Sequence, residues 1–199
     1  MKYIYSLLIV FFAVFIWSAI NPFDYFTWFL EIVPALIGVG ILSFTYRRFR
    51  FTNLVYFLIL IHSVILMAGG HYTYAEVPLF DSLADVLNHT RNNYDKVGHF
   101  AQGFIPALII REIVIRQDVI NGAKWRSFII VCICLAISAA YEFIEWFVAI
   151  QSGEDAESFL GTQGYIWDTQ SDMLFATMGA ISALVLLSNL HNRQLKSII

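Results

Sequence analysis

Asp95, His99 and Gln102 fall at i, i+4 and i+7 in the stretch Tyr94-Asp95-Lys96-Val97-Gly98-His99-Phe100-Ala101-Gln102-Gly103. On a helix that spacing stacks an acid, an imidazole and an amide on one face. The stretch opens an apolar run ending near Ile115, so these groups enter what reads as a membrane-spanning helix, where ionisable side chains are costly unless something answers them. Further along, Ser138, Glu142 and Glu145 repeat the i, i+4, i+7 pattern, and Asp168 and Asp172 stand one turn apart. His71 follows the pair Gly69-Gly70 at the end of another apolar run.

His and carboxylate groups spaced D-x-x-x-H, E-x-x-E and D-x-x-x-D on facing helices can surround Zn, Mn or Fe inside a bundle. The metal-ligating candidates are His71, Asp95, His99, Glu142, Glu145, Asp168 and Asp172. A divalent ion there could activate water or polarise a phosphoryl or carbonyl oxygen, with Glu142 or Glu145 as general base and therefore the catalytic candidates. Two other readings use the same residues: a proton or cation relay in a transporter, and a polar network that locks the bundle. Charge requires that the cluster hold protons, bind a metal, receive a cationic ligand or stay well hydrated. Asp95, Glu142, Glu145, Asp168 and Asp172 are five acids, and Lys96 is the one cation written beside them. Lys96 lies one residue off the Asp95–His99 stripe and is expected to snorkel to the surface.

The elements that position these groups are apolar helices. Of the 199 residues 59% are hydrophobic and 14% charged, and mean hydropathy is +0.68, a balance foreign to soluble domains. The fold class expected is an all-α polytopic transmembrane bundle occupying 1–199 as one domain. Six spans are expected at Tyr3–Ile20, Trp28–Tyr46, Phe51–Gly69, Asp95–Ile115, Ser127–Ile150 and Trp167–Leu190. The first is long, rich in Trp and Phe, and lacks an A-x-A site before Asn21-Pro22, so it reads as a retained helix rather than a signal peptide.

Of the 12 Lys and Arg, only Arg91 and Lys96 fall opposite the side carrying Lys2, Arg47, Arg48, Arg50, Arg111, Arg116, Lys124, Arg126, Arg193 and Lys196. The positive-inside rule then makes both termini cytoplasmic and turns the acid cluster toward the periplasm. No basic cluster suggests nucleic acid, and the partner implied is membrane lipid. Cys132 and Cys134, two apart on one helix, point in different directions and read as packing residues.

Other polar residues carry less. His62, midway along the third span, reads as an interhelical hydrogen bonder, and Glu31 either faces the interface or joins the cluster. Arg111 and Glu112 read as interfacial anchors, and His89 and His191 as loop residues. Two outer loops have content. Leu79, Phe80, Leu83, Val86 and Leu87 repeat with helical spacing opposite Asp81, Asp85 and Asn88, which suits a short amphipathic helix at the membrane surface. The stretch 151–166 carries Glu154, Asp155 and Glu157, then Gly161-Thr162-Gln163-Gly164, and reads as a tight ordered connection.

Three motifs taken together, Asp95-Lys96-Val97-Gly98-His99-Phe100, Tyr141-Glu142-Phe143-Ile144-Glu145-Trp146, and Gly161-Thr162-Gln163-Gly164 leading to Trp167-Asp168-Thr169-Gln170-Ser171-Asp172-Met173, resemble the YjdF family of bacterial inner-membrane proteins over essentially the whole chain. The resemblance implies location and topology and brings no activity with it. The D-K-x-x-H-F start, an acid in the next span, and Asp172 with Gly179 are more weakly similar to VanZ-like membrane proteins, which are associated with glycopeptide resistance. Trp146 follows Glu145 where that pattern has Gln, no Arg precedes Asp172, and Ala176 stands where Asn is usual. A glycopeptide role is therefore not carried over. The function expected is that of an inner-membrane protein with an intramembrane His/carboxylate site, reading first as a metal-dependent enzyme on a lipid-linked or envelope substrate.

Overall fold

The computed structural model describes residues 2–88, 90–152 and 162–198. Among them the regular structure is wholly helical: α1 (Lys2–Ser18), α2 (Tyr25–Thr45), α3 (Asn53–His71), α4 (Pro78–Leu87), α5 (Tyr94–Arg116), α6 (Ala123–Ser152) and α7 (Asp168–Leu195). Five of these, α2, α3, α5, α6 and α7, are long and apolar enough to cross a membrane. The expected first span falls short of that group. Its helix has 17 residues, against the roughly 20 that a bilayer core of about 30 Å asks for. The cause is local: Asn21 takes a positive φ of 51° and precedes Pro22, whose ring disfavours helix in the residue before it.

Starts are written into the chain by caps. The Asp24 carboxylate accepts the Thr27 backbone N–H at 2.6 Å at the head of α2, and Thr52 caps α3 through Val55. That backbone hydrogen bond holds the Asp24 carboxyl below its ordinary pKa, against a smaller opposing effect of burial.

α5 is the hub. It packs on α3, α6 and α7; α3 in turn carries α1 and α2, and α6 also packs on α7. Small residues let α5 and α7 approach backbone to backbone. A Cβ on Gly103 would lie 1.7 Å from the Ala176 carbonyl oxygen, and one on Gly179 would lie 2.1 Å from that of Phe100. With no side chain between the helices, van der Waals contact of the backbones themselves holds the pair, as in other membrane bundles. This crossing carries Asp95 and His99 to Asp168 and Asp172.

Below it, Val55, Leu108, Ile130, Cys134, Ala107, Ala180 and Ala183 form the main core, while Phe11, Ile32, Ala35 and Met67 join α1, α2 and α3. Large apolar side chains such as Phe44, Phe143, Trp146 and Val185 are exposed on the outside, as a lipid-facing surface requires. Cys132 is exposed and Cys134 buried, so they do point apart.

The short helix expected at Leu79–Leu87 exists as α4. Leu79, Leu83 and Val86 share an exposed apolar face, while Asp81 accepts from the Asn92 side chain at 2.7 Å. Of the expected ordered connection, Glu154, Asp155, Glu157 and Gly161 lie outside the described residues, as does His89. The described end is clasped to the start of α5. Gln163 accepts from the Asn92 backbone N–H and donates to the Asn92 carbonyl, both at 2.9 Å.

Candidate functional site

Asp95 lies in the first turn of α5 and Asp168 opens α7. Helix N-termini favour negative charge, and here two of them are placed side by side. Lys96 answers them from within. It is 8% exposed, and its Nζ lies 3.1 Å from Asp95 Oδ2, 2.7 Å from Asp168 Oδ1 and 2.5 Å from Asp172 Oδ1. The expectation that it snorkels to the surface is wrong: the three carboxylates come from two helices and converge where its stem points. Arg91, from the turn before α5, adds a second cation. Its Nη2 lies 2.8 Å from Asp95 Oδ2 and 2.6 Å from Asp168 Oδ1, and its Nη1 donates to the Thr162 carbonyl at 2.8 Å. The Tyr165 ring covers both cations, at 5.4 Å from Arg91 Cζ and 5.8 Å from Lys96 Nζ. Lys96 is therefore not alone, as the sequence made it seem.

The two cations leave a particular set of atoms facing inward. Both grip Oδ2 of Asp95, and Lys96 grips Oδ1 of Asp172, so Asp95 Oδ1 and Asp172 Oδ2 are turned toward His99. Its Nε2 lies 3.2 Å from the first and 3.8 Å from the second. One donor atom from each of Asp95, His99 and Asp172 falls within 4.8 Å of the other two. The other ring nitrogen, Nδ1, faces Gln102 Oε1 at 3.3 Å and Glu142 Oε1 at 3.8 Å. Glu142 is 7% exposed, and that Oε1 has no hydrogen-bond partner among the described residues. Ser138 Oγ, one turn away on α6, is fully buried and likewise without one.

This donor set fits a divalent metal. One imidazole and two carboxylates are ligands that Zn, Mn and Fe accept. The surroundings fit as well, since metal-bound carboxylates are held by hydrogen bonds to their other oxygens and a metal-bound His offers its second nitrogen to an acceptor. Of the seven metal candidates the structure brings Asp95, His99 and Asp172 into one group. Asp168 gives its Oδ1 to Arg91 and Lys96, and Glu142 faces the far side of the imidazole. His71 is not brought to the group: its Nδ1 sits 3.0 Å from the Ser18 carbonyl and its ring 4.7 Å from Trp17, at the junction of α1 and α3.

Asp95 and His99 border a cavity of about 200 Å³ that Glu145 also lines, with Glu31, Tyr74, Tyr141, Gln102 and His62 among the polar walls. Glu31, offered by the sequence as either an interfacial residue or a cluster member, joins it. It is 5% exposed, and its Oε2 accepts from the Tyr141 hydroxyl at 3.3 Å. Backbone closeness explains its aim, because the Glu31 Cβ lies 3.0 Å from where a Cβ on Gly70 would be. Tyr74 reaches the cavity by the same means: its ring occupies the space a Cβ would need at both Gly69 and Gly98. His62 lines the cavity but makes no hydrogen bond among the described residues, contrary to its expected role.

A second buried polar group lies at the other end of α5, built from Arg111 and Glu112, expected as interfacial anchors, and His191, expected in a loop. Glu112 is fully buried and accepts from the Thr52 backbone and hydroxyl, from Arg116 at 3.0 Å, and stands 3.0 Å from His191 Nε2. Arg111 contacts His191 Nδ1 at 2.9 Å and donates to Asn192 at 2.6 Å. His191 is no loop residue. It continues α7 past Leu190, and the i, i+4 pair Glu112–Arg116 was the available signal of an ion pair aimed inward.

Helices of spanning length with an ionised, buried site between them make this a multi-pass α-helical membrane protein. A family described as "Predicted membrane protein (DUF2238)" matches residues 3–193, and the chain belongs to it. The chain is similar to inner membrane protein YjdF of Escherichia coli (strain K12), with 48% identity over 181 residues, covering 91% of this chain and 87% of that protein. The YjdF-type resemblance is thereby established, and with it a multi-pass location in the inner membrane; the VanZ-like similarity gains no support. No solved structure matches.

Proposed function

We propose that this protein is a metal-dependent intramembrane enzyme acting on a lipid-linked or envelope substrate. The observation that carries the reading is the division of labour among carboxylate oxygens: Lys96 and Arg91 hold one oxygen of Asp95 and one of Asp172, and the free oxygens meet His99 Nε2. Three carboxylates beside two cations leave one negative charge at the outer tier, and Glu142 adds another close by. A divalent ion balances the two. Bound there, it supplies Lewis acidity toward a phosphoryl or carbonyl oxygen. His99 is the nitrogen ligand, Asp95 and Asp172 the oxygen ligands, and Asp168 with Arg91 and Lys96 fixes their orientation. Gln102 Oε1 accepts from the His99 Nδ1–H at 3.3 Å and keeps Nε2 free to ligate, with the Glu142 carboxylate 3.8 Å from the same nitrogen. Glu145, on the cavity wall, is the group available to take or give a substrate proton.

The topology that goes with this reading has six spans, with α1 as a short first crossing, both termini in the cytoplasm and the site open to the periplasmic side. The basic residues support it, since ten of the 12 Lys and Arg cluster on the other side.

Elemental analysis of the detergent-solubilised protein tests the proposal. The expected result is about one divalent ion per chain, lost in His99→Ala and Asp172→Asn variants that remain monodisperse. A metal-free wild type that retains its fold would contradict it and leave the rival reading, a proton relay through His99 and Glu142, for which the 3.8 Å gap between those two groups is the supporting observation.

A further inference from the structure

The cavity beside His99 has walls of unusual composition. Glu31, Glu145 and Asp95 supply carboxylates, Tyr74 and Tyr141 supply aromatic rings, His99 and His62 supply imidazoles, and among the described residues no Lys or Arg lines it. Lys96 and Arg91 are spent on the outer tier, so they do not answer Glu31 and Glu145. Among the described residues Glu145 has no hydrogen-bond or ion-pair partner, and Glu31, 5% exposed, has only tyrosine hydroxyls, Tyr141 at 3.3 Å and Tyr74. A carboxylate in low dielectric is strongly disfavoured without a compensating cation. Aromatic faces beside carboxylates are the surroundings that an ammonium group selects. A volume of about 200 Å³ admits a headgroup and excludes a whole lipid, whose chains must stay outside.

Among the described residues α2 packs chiefly on α3, and α6 chiefly on α5 and α7. What links them across the cavity is the Tyr141 hydroxyl donating to Glu31. Apolar residues, among them Leu66, Pro34 and Ile137, complete the wall, so an amphiphile meets an apolar approach and an acidic end.

We infer that this cavity recognises the ammonium group of an amphiphile, admitted sideways from the bilayer between α2 and α6, with Glu31 and Glu145 as counter-charges and Tyr74 and Tyr141 as the aromatic walls. The inference rests on the proposed reading of the site as one that acts on a lipid-linked substrate, and it names the class of that substrate. Breaking the Tyr141–Glu31 hydrogen bond turns one Glu31 oxygen to the incoming cation, while Tyr74 stays beside the carboxylate.

Native mass spectrometry of the full-length protein, titrated with phosphatidylethanolamine, with phosphatidylglycerol of the same acyl chains and with free ethanolamine, tests it. The expected result is a preference of about tenfold for the amine-headed lipid, falling to near unity in Glu31→Gln, with free ethanolamine competing only weakly. Glu31→Gln keeps the shape of the side chain, and the wild-type comparison of the two lipids stands even if that variant misfolds. Equal affinity for both lipids would overturn the inference. Free ethanolamine binding as tightly as the lipid would overturn sideways admission of an amphiphile. Metal content read in the same samples separates the two proposals. Metal present with no amine preference sinks this inference alone, whereas an amine preference without metal sinks the enzyme reading alone.

Discussion

Lys96 shows what spacing along one helix leaves out. Its place one residue off the Asp95–His99 stripe was legible, but the carboxylates of Asp168 and Asp172 arrive from α7, more than seventy positions away in the chain, and no period within α5 announces them. Arg91 was hidden for the same reason, standing in a turn whose partner atoms lie on α7 and at Thr162. What the residues did disclose was the face: Asp95, His99 and Gln102 do line up, and Glu142 does meet them. Because the outer tier is buried and multiply paired, Lys96→Met should destabilise the protein by about 3 kcal/mol, as removal of one partner from a buried ion cluster does. Chemical or thermal unfolding in detergent measures it, and a variant as stable as wild type would show that the carboxylates are relieved by water instead. If the proposed metal site is right, Glu142→Gln retains the fold and lowers the metal content read by elemental analysis, since an amide beside the imidazole carries no charge to balance an ion; unchanged metal content would contradict that role.

At the scale of helices, hydropathy located every long one, and the ends moved by a few residues where caps decide them. α2 starts three residues earlier than the apolar run suggests because Asp24 caps it. The lowered pKa of Asp24 means its cap is fully formed above the ordinary carboxylate range, and its contribution is lost as pH falls through the lowered value. Asp24→Ala should cost about 1 kcal/mol at neutral pH and remove that part of the acid dependence. Equal melting of the two proteins at neutral pH would contradict the cap. The α5–α7 crossing was not legible, since Gly103 and Gly179 in apolar runs look like any membrane glycines until their opposite backbones are known. Gly103→Val forces the helices apart and should both destabilise the bundle by about 1–3 kcal/mol and lower metal content by displacing Asp172. α4 was legible from its period alone. Leu83→Asp should release it from the membrane surface and raise protease sensitivity in that segment, leaving the bundle folded; unchanged sensitivity would argue that Leu83 does not anchor it.

The whole molecule has polar groups at both ends of α5, about 25 Å apart at 1.5 Å per residue. The end holding Asp95 was legible because acids in an apolar run stand out. The end holding Glu112 and His191 was not, because both sit where a span meets its basic flank and resemble anchors. Reporter fusions at each terminus and within 151–166 test the orientation. Cytoplasmic signals from both termini and a periplasmic one from the loop are expected, and a cytoplasmic signal from the loop would invert the depth assigned to every site residue.

The most direct measurement is X-ray absorption at the metal edge of the purified protein after loading with zinc. Nitrogen and oxygen scatterers at bonding distance, with the outer-ring signature of one imidazole, are expected, and His99→Ala should abolish that signature. A spectrum without imidazole, or a wild-type protein that fails to retain zinc while remaining folded, would contradict the proposed metal site.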